Sequence, residues 1–162
     1  MSPHPPFPAT PMPVEIRMLD PRLNDWGLPR AQTAMAAAVD LFACVDADMD
    51  VRAQEPAVLV PSGVAIHIAD PLLAAMILPR SGLGHRGLVL GNGVGLIDAD
   101  YTDQIMVSLW NRNPPGSPPI RVRPGDRIAQ MLFVPVARPA LQVVQAFSRA
   151  SDRSGGFGST GV

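Results

Sequence analysis

Apolar and polar residues alternate in short stretches along most of this chain, and the first such stretch sets the theme. In "VEIRML" (14–19), Val14, Ile16 and Met18 interleave with Glu15 and Arg17. That is the period of a half-buried strand, whose successive side chains point to opposite faces. Further strand-like runs follow at "VDLFA" (39–43), "AVLV" (57–60), "GVAIHI" (63–68), "AAMIL" (74–78), "QIMVSLW" (104–110), "IAQMLFV" (128–134) and "LQVVQA" (141–146). Turn signals stand between them at Pro61-Ser62-Gly63, Asn113-Pro114-Pro115-Gly116 and Pro124-Gly125-Asp126. Many short strands so punctuated predict an all-β sandwich, jelly roll or small barrel. The competing stretch is "AQTAMAAAV" (31–39), where alanine favours helix. A strand-like run follows it with no C-cap between, so it reads as a loop or short turn. There is no internal repeat.

Composition narrows the picture. A chain of 162 residues fits one domain, long enough to bury about two-thirds of its unfolded surface. A formal charge of −1 offers no broad footprint for nucleic acid or membrane, so any polyanion bound must be small. All thirteen basic residues are arginines. The lack of lysine removes Schiff-base chemistry and any phosphate site built on a P-loop lysine. The single cysteine, Cys44, cannot form an intramolecular disulfide, and no CxxC, HExxH or histidine cluster points to a protein-ligated zinc. A reducing cytoplasm is the expected setting. No apolar run approaches the roughly 20 residues of a membrane span. The start "MSPHPPFPATPMP" lacks the order of a secretion signal and, with six prolines, is expected to be an extended or disordered lead-in.

Four polar stretches are richer in chemistry than turns require. "PRSG" (79–82) sets a guanidinium, a hydroxyl and consecutive backbone N–H groups at a strand end, a corner suited to phosphate; the plain alternative is a turn with a solvated arginine. "GNGVGLIDADY" (91–101) reads either as a glycine hairpin with turn aspartates or as a hairpin lining a pocket, with Asp98 as base and Tyr101 as a flat surface. In "RPGDRIAQ" (123–130), Pro-Gly-Asp is a turn, but Gln130 interrupts an apolar strand and needs polar partners. The ending "SDRSGGFGSTGV" (151–162) has no periodicity and by itself reads as a loose terminus. Against that reading, Phe157 can stack on a base, and Arg153, Ser159 and Thr160 can hold phosphate oxygens.

In order, "AVDLFA", "PRSGLG", "GLIDADYTDQIMVSLWN", "RPGDRIAQMLF" and "GGFGSTG" resemble the five motifs of the trimeric deoxyuridine triphosphatases (dUTPases), over roughly residues 14–161. The resemblance implies a jelly-roll-like distorted β-barrel that assembles as a homotrimer and hydrolyses dUTP to dUMP and pyrophosphate with Mg2+. The domain would be residues 14–147, preceded by the lead-in 1–13 and followed by a lid, 148–162, over a neighbouring subunit's site. Asp98 would orient and deprotonate the water that attacks the α-phosphorus. Arg80, Ser81, Gly82 and Gln130 would bind phosphates. Asn92, Leu96, Ile97 and Met106 match the segment that reads uracil, and Tyr101 the residue against deoxyribose. From the lid, Phe157 would cover the uracil, Arg153 would reach the γ-phosphate as a catalytic group, and Gly158, Ser159 and Thr160 would contact substrate. Asp40, Asp126 and Arg127 would support these groups. The magnesium would be held by substrate phosphates and waters, with no protein side chain as direct ligand.

Three spellings depart from the family pattern. Ala38-Val39-Asp40 stands for Gly-x-Asp, the segment from Gly84 to Asn92 is one residue short, and Arg-Ser-Gly-Gly-Phe stands for Arg-Gly-x-Gly-Gly-Phe. The nearest enzymatic rival is deoxycytidine triphosphate deaminase, which shares the fold but relies on a glutamate. This chain has only Glu15 and Glu55, both outside the motifs. A catalytically silent nucleotide-binding protein is the rival from another class, and the presence of Asp98, Arg80, Gln130 and Phe157 weighs against it.

Overall fold

The computed structural model describes residues 12–149. The lead-in through residue 11, and the calls on Arg153, Phe157, Gly158, Ser159 and Thr160, lie outside the described residues. Ten strands account for most of the regular structure: β1 (Glu15–Met18), β2 (Val39–Phe42), β3 (Met49–Val51), β4 (Val58–His67), β5 (Leu73–Pro79), β6 (Leu88–Leu90), β7 (Gly95–Ile97), β8 (Gln104–Asn111), β9 (Ile120–Val122) and β10 (Arg127–Pro135). Two short helices join them, α1 (Leu23–Trp26) and α2 (Ser81–His85).

The strands form two four-stranded antiparallel sheets, ordered β1-β4-β8-β6 and β2-β10-β5-β7, and a small β3-β9 ribbon. Their inner faces share one core, to which β2 gives Leu41, β5 Ala75 and Ile77, β4 Val60 and Val64, and β8 Ile105, Val107 and Leu109. This is the all-β architecture that the strand pattern predicts, and of the alternatives that pattern left open it fits the jelly-roll-like one implied by the resemblance. Period two is plainest in β8, where those three buried residues alternate with the exposed or half-exposed Met106 and Ser108. The last inward position is polar: Asn111 is fully buried, donates through Nδ2 to Val51 O at 2.9 Å and accepts from the Asn113 N–H at 3.1 Å. Those bonds offset its loss of water.

Four local expectations need correction. Pro61-Ser62-Gly63 is not a turn between two strands but a bulge inside the continuous β4, where the pairing shifts from Pro61↔Met106 to Ala65↔Gln104. Gly63 sits at φ +73°, and its carbonyl accepts the N–H groups of both Leu19 and Asp20 at 2.7 and 3.2 Å. A Cβ there would stand 2.5 Å from Cys44 Sγ, so glycine is required on two counts. The run 141–146 forms no strand: residues 136–149 lack regular structure, and Leu141, Val143 and Phe147 are exposed. Alternation alone does not make a strand without a partner edge. β1 does form, against β4, but all four of its residues are exposed in the single chain rather than half-buried. Finally, β6 and β7 are not a hairpin, since β6 pairs with β8 in one sheet and β7 with β5 in the other. The alanine-rich stretch 31–39 is bends and turns, closed by an Ala31↔Val39 bridge.

Candidate active site

One corner of the second sheet gathers polar side chains around a buried carboxylate. Asp40 on β2 is only 7% exposed, and its two oxygens take Arg80 Nε at 2.8 Å and Arg127 Nη1 at 3.1 Å. A carboxylate removed from water needs such partners, and sharing one between two guanidinium groups fixes both. Arg80 also donates through Nη1 to the Arg127 carbonyl at 3.1 Å. Gln130 pairs in register with Asp40 on one side and Leu78 on the other, so the sheet itself sets the row. Its Nε2 donates to Pro79 O at 2.9 Å, which leaves the amide oxygen available. That bond meets the need for a partner raised by a glutamine in an apolar strand.

The chain leaves β5 at Pro79, keeps Arg80 extended (φ −80°, ψ 137°) and turns at once into α2. The N–H groups of Ser81 and Gly82 fall in the first helical turn, where no earlier helical carbonyl can accept them. Nothing in the chain lies within 4 Å of a Cβ built on Gly82, so its lack of a side chain leaves open space beside these amides. Asp40, Arg80, Ser81, Gly82 and Gln130 thus share one cleft of about 530 Å3. Gln32, Ala36, Ala37, Ala38, Leu83 and Arg86 complete its lining. Gln32 and Arg86 were missed from sequence. Neither lies in a strand run, and only the return of 31–39 and the end of α2 bring them to the rim.

Asn92, Leu96, Ile97, Asp98, Tyr101 and Met106 lie outside that cleft. Gly95 approaches Ile77 so closely that a Cβ would stand 3.1 Å from the isoleucine Cβ, and this contact seats β7 on the edge of β5. Ile97 packs against the core, whereas Leu96 is 64% exposed and Asn92 and Asp98 are exposed. The Asp98 carbonyl accepts the Tyr101 N–H at 3.2 Å, and Tyr101 OH donates to Gln104 O at 3.1 Å. Met106 projects outward from β8 in the other sheet. Asp98 stands one residue past the Ile97↔Ala75 pair, and Arg80 follows the far end of the same β5. At about 3.3 Å per residue, about 20 Å of strand separates them.

Asp126 is a turn residue, accepting the Arg123 N–H on Oδ2 at 2.8 Å, while its carbonyl and the Gly125 N–H pair the turn with Ala43. That pairing holds the start of β10, and with it Arg127, beside β2. Among the described residues no group of three or more His, Cys, Asp or Glu side chains is placed to hold a metal ion. No helix among the described residues is long and apolar enough to cross a membrane.

Comparison with known proteins agrees with the motif order. The sequence profile of the dUTPase family matches residues 24–161. The deoxyuridine 5'-triphosphate nucleotidohydrolase of Xanthomonas oryzae pv. oryzae is 51% identical over 151 residues, covering 92% of this chain and 95% of the relative. Its counterpart in Xanthomonas campestris pv. campestris is 50% identical, covering 92% and 97%. Among solved structures, a substituted dUTPase of Staphylococcus bacteriophage 80alpha with dUpNHpp aligns at TM-score 0.78 and 23% identity, covering 93% of this chain and 99% of that one. A substituted dUTPase of phage phi11 of S. aureus, described with a coordinated structural Mg(II) ion, aligns at 0.72 and 20%, covering 85% and 99%. At these identities the structures speak to the fold.

Proposed function

The chain belongs to the dUTPase family, and on that premise we propose that it hydrolyses dUTP to dUMP and pyrophosphate in sites shared between the chains of a homotrimer. The observation that carries this reading is the separation of Asp98 from Arg80. The phosphorus atoms of one triphosphate lie within a few ångströms of each other, whereas the base and the phosphate corner of one chain are about 20 Å apart along β5. A complete site therefore needs the Asp98 segment of one chain beside the Arg80 corner of another. The exposed apolar residues of β1, Ile16 and Met18, and the unpaired segment bearing Leu141 and Val143 offer surface for such assembly.

In this reading the corner binds and orients. Arg80, held by Asp40, and the N–H groups of Ser81 and Gly82 meet the phosphate oxygens, with Gln130 beside them. Asp98 accepts a proton from the water that attacks the α-phosphorus, opposite the departing pyrophosphate. Asn92, Leu96, Ile97 and Met106 receive the uracil, and Tyr101 excludes a 2'-hydroxyl. Phe157 closes on the base, Arg153 adds charge at the γ-phosphate, and Gly158, Ser159 and Thr160 complete the lid. When bound on the phosphates, Mg2+ would neutralise part of their charge. Removal of dUTP limits uracil in DNA, and dUMP feeds thymidylate synthesis, a cytoplasmic role that suits a chain with one buried thiol.

Two measurements test the reading. Pyrophosphate release should be fast with dUTP and slow with dCTP, dTTP and UTP. Ammonia release from dCTP, without pyrophosphate from dUTP, would replace it with the deaminase. The inactive variants Asp98→Asn and Arg80→Ala should complement each other. After unfolding and co-refolding in equal amounts, random assembly restores about a quarter of the sites. No recovery in proven mixed oligomers would place Asp98 and Arg80 in the same chain's site.

A further inference from the structure

Behind the phosphate corner lies a second cleft, of about 260 Å3, that shares Arg80, Leu83 and Arg86 with the first. It is also lined by Arg121 and Arg127, so four of the chain's thirteen arginines converge there. The one carboxylate in its lining, Asp126, already accepts the Arg123 N–H at 2.8 Å. In a protein of net charge −1, that is a local concentration of positive charge.

The four guanidinium groups are not equally committed. Arg121 uses Nε and Nη2 on Asp50, at 3.0 and 3.5 Å, and that carboxylate is held below its ordinary range chiefly by this hydrogen bond. Arg127 and Arg80 share Asp40. Each guanidinium carries five N–H donors in a planar fork, so these pairings orient the three groups and leave donors unspent. Among the described residues Arg86 has no ion pair and its guanidinium makes no hydrogen bond. Oriented but incompletely used forks around a cleft are what a multiply charged oxyanion requires. The cleft, at about 260 Å3, has room for two linked phosphate groups.

We propose that this second cleft binds inorganic pyrophosphate, the product, in continuity with the phosphate cleft. Arg80 and Arg86 face both spaces, so the departing anion can shift from one to the other without losing guanidinium contact. The proposal rests on the dUTP reading for the source of the anion.

The test is calorimetric titration of the full-length protein with sodium pyrophosphate, and separately with orthophosphate, with the first cleft saturated by dUpNHpp. Uptake of one pyrophosphate per chain is expected, with affinity falling about tenfold or more in Arg121→Gln and in Arg86→Gln. Absence of uptake beside the analogue, an affinity in both variants equal to that of the unsubstituted protein, or orthophosphate binding as tightly as pyrophosphate would each overturn the proposal. The dUTP reading fails separately, by lack of analogue binding or of turnover, and titration of the unliganded protein then still reads the second cleft.

Discussion

The Arg80 corner and the Asp98 segment both sit at the ends of β5, yet the fold treats them differently. At the corner, Asp40 is buried between two guanidinium groups, and Gln130 is locked to the carbonyl of Pro79. These side chains are positioned before any ligand arrives. At the other end, backbone pairing fixes β7, but Leu96 and Asp98 face solvent and Asp98 makes no side-chain hydrogen bond among the described residues. Under the proposed function, its surroundings would come from another chain and from the nucleotide. In the proposed reading, the corner is a preorganised anion binder that folding completes, whereas the Asp98 segment is a reactive edge that assembly would complete.

The sharpest way to break this contrast is at the base. Asp98→Asn should keep affinity for dUpNHpp and lose turnover by a factor of about 10² or more. Unchanged turnover would remove Asp98 from the mechanism and leave the exposed edge without a chemical role. Truncation after Ala150 should lower turnover by at least about tenfold through loss of closure, with the fold intact by circular dichroism. Full activity in that protein would sink the lid assignment while leaving the substrate assignment standing.

Asp40→Asn probes the corner itself. Two guanidinium groups lose a shared anion, so stability should fall by about 1–3 kcal/mol in urea titration. The KM for dUTP should rise more than kcat falls, because the lost element positions Arg80 rather than the reacting water. An unchanged KM would mean that Arg80 does not depend on Asp40 for its placement.

The smallest effects concern pH and lie away from both regions. Burial pushes the Cys44 thiol up to about 11. Its contribution to stability is therefore complete below the ordinary thiol range and is lost as pH rises through about 11. Asp20, hydrogen-bonded to Arg22, and Asp50, hydrogen-bonded to Arg121, are both held low. Their contributions are present above the ordinary carboxylate range and are lost as pH falls through the depressed values. Thermal melting against pH should decline at both extremes, and Cys44 should react slowly with thiol reagents at neutral pH. Fast labelling there would contradict its burial.

Legibility depended on the length of each signal and on a partner to pair with it. The long alternation of Gln104–Trp110 and the apolar run at 74–78 carry at least five residues of pattern and pair with neighbouring strands, whereas the six residues 141–146 carry a pattern but no partner strand among the described residues. The three-residue strands Met49–Val51, Leu88–Leu90, Gly95–Ile97 and Ile120–Val122 carry too little periodicity to stand out and exist because a neighbour pairs with them. Pro61 and Gly63 mimicked a turn because the same backbone freedom that makes turns also makes bulges.

The sequence by itself determined the all-β class and the family, and it named the candidate site side chains, because those depend on residue type and order. Only the tertiary structure decided which of them meet. Asp40 and Arg127, 87 residues apart in the chain, join because β2 and β10 pair, while Asp98 and Arg80, only 18 apart, are held at opposite ends of one strand. Side-chain identity is local, but proximity in a sheet is set by which strands exchange hydrogen bonds and in what register.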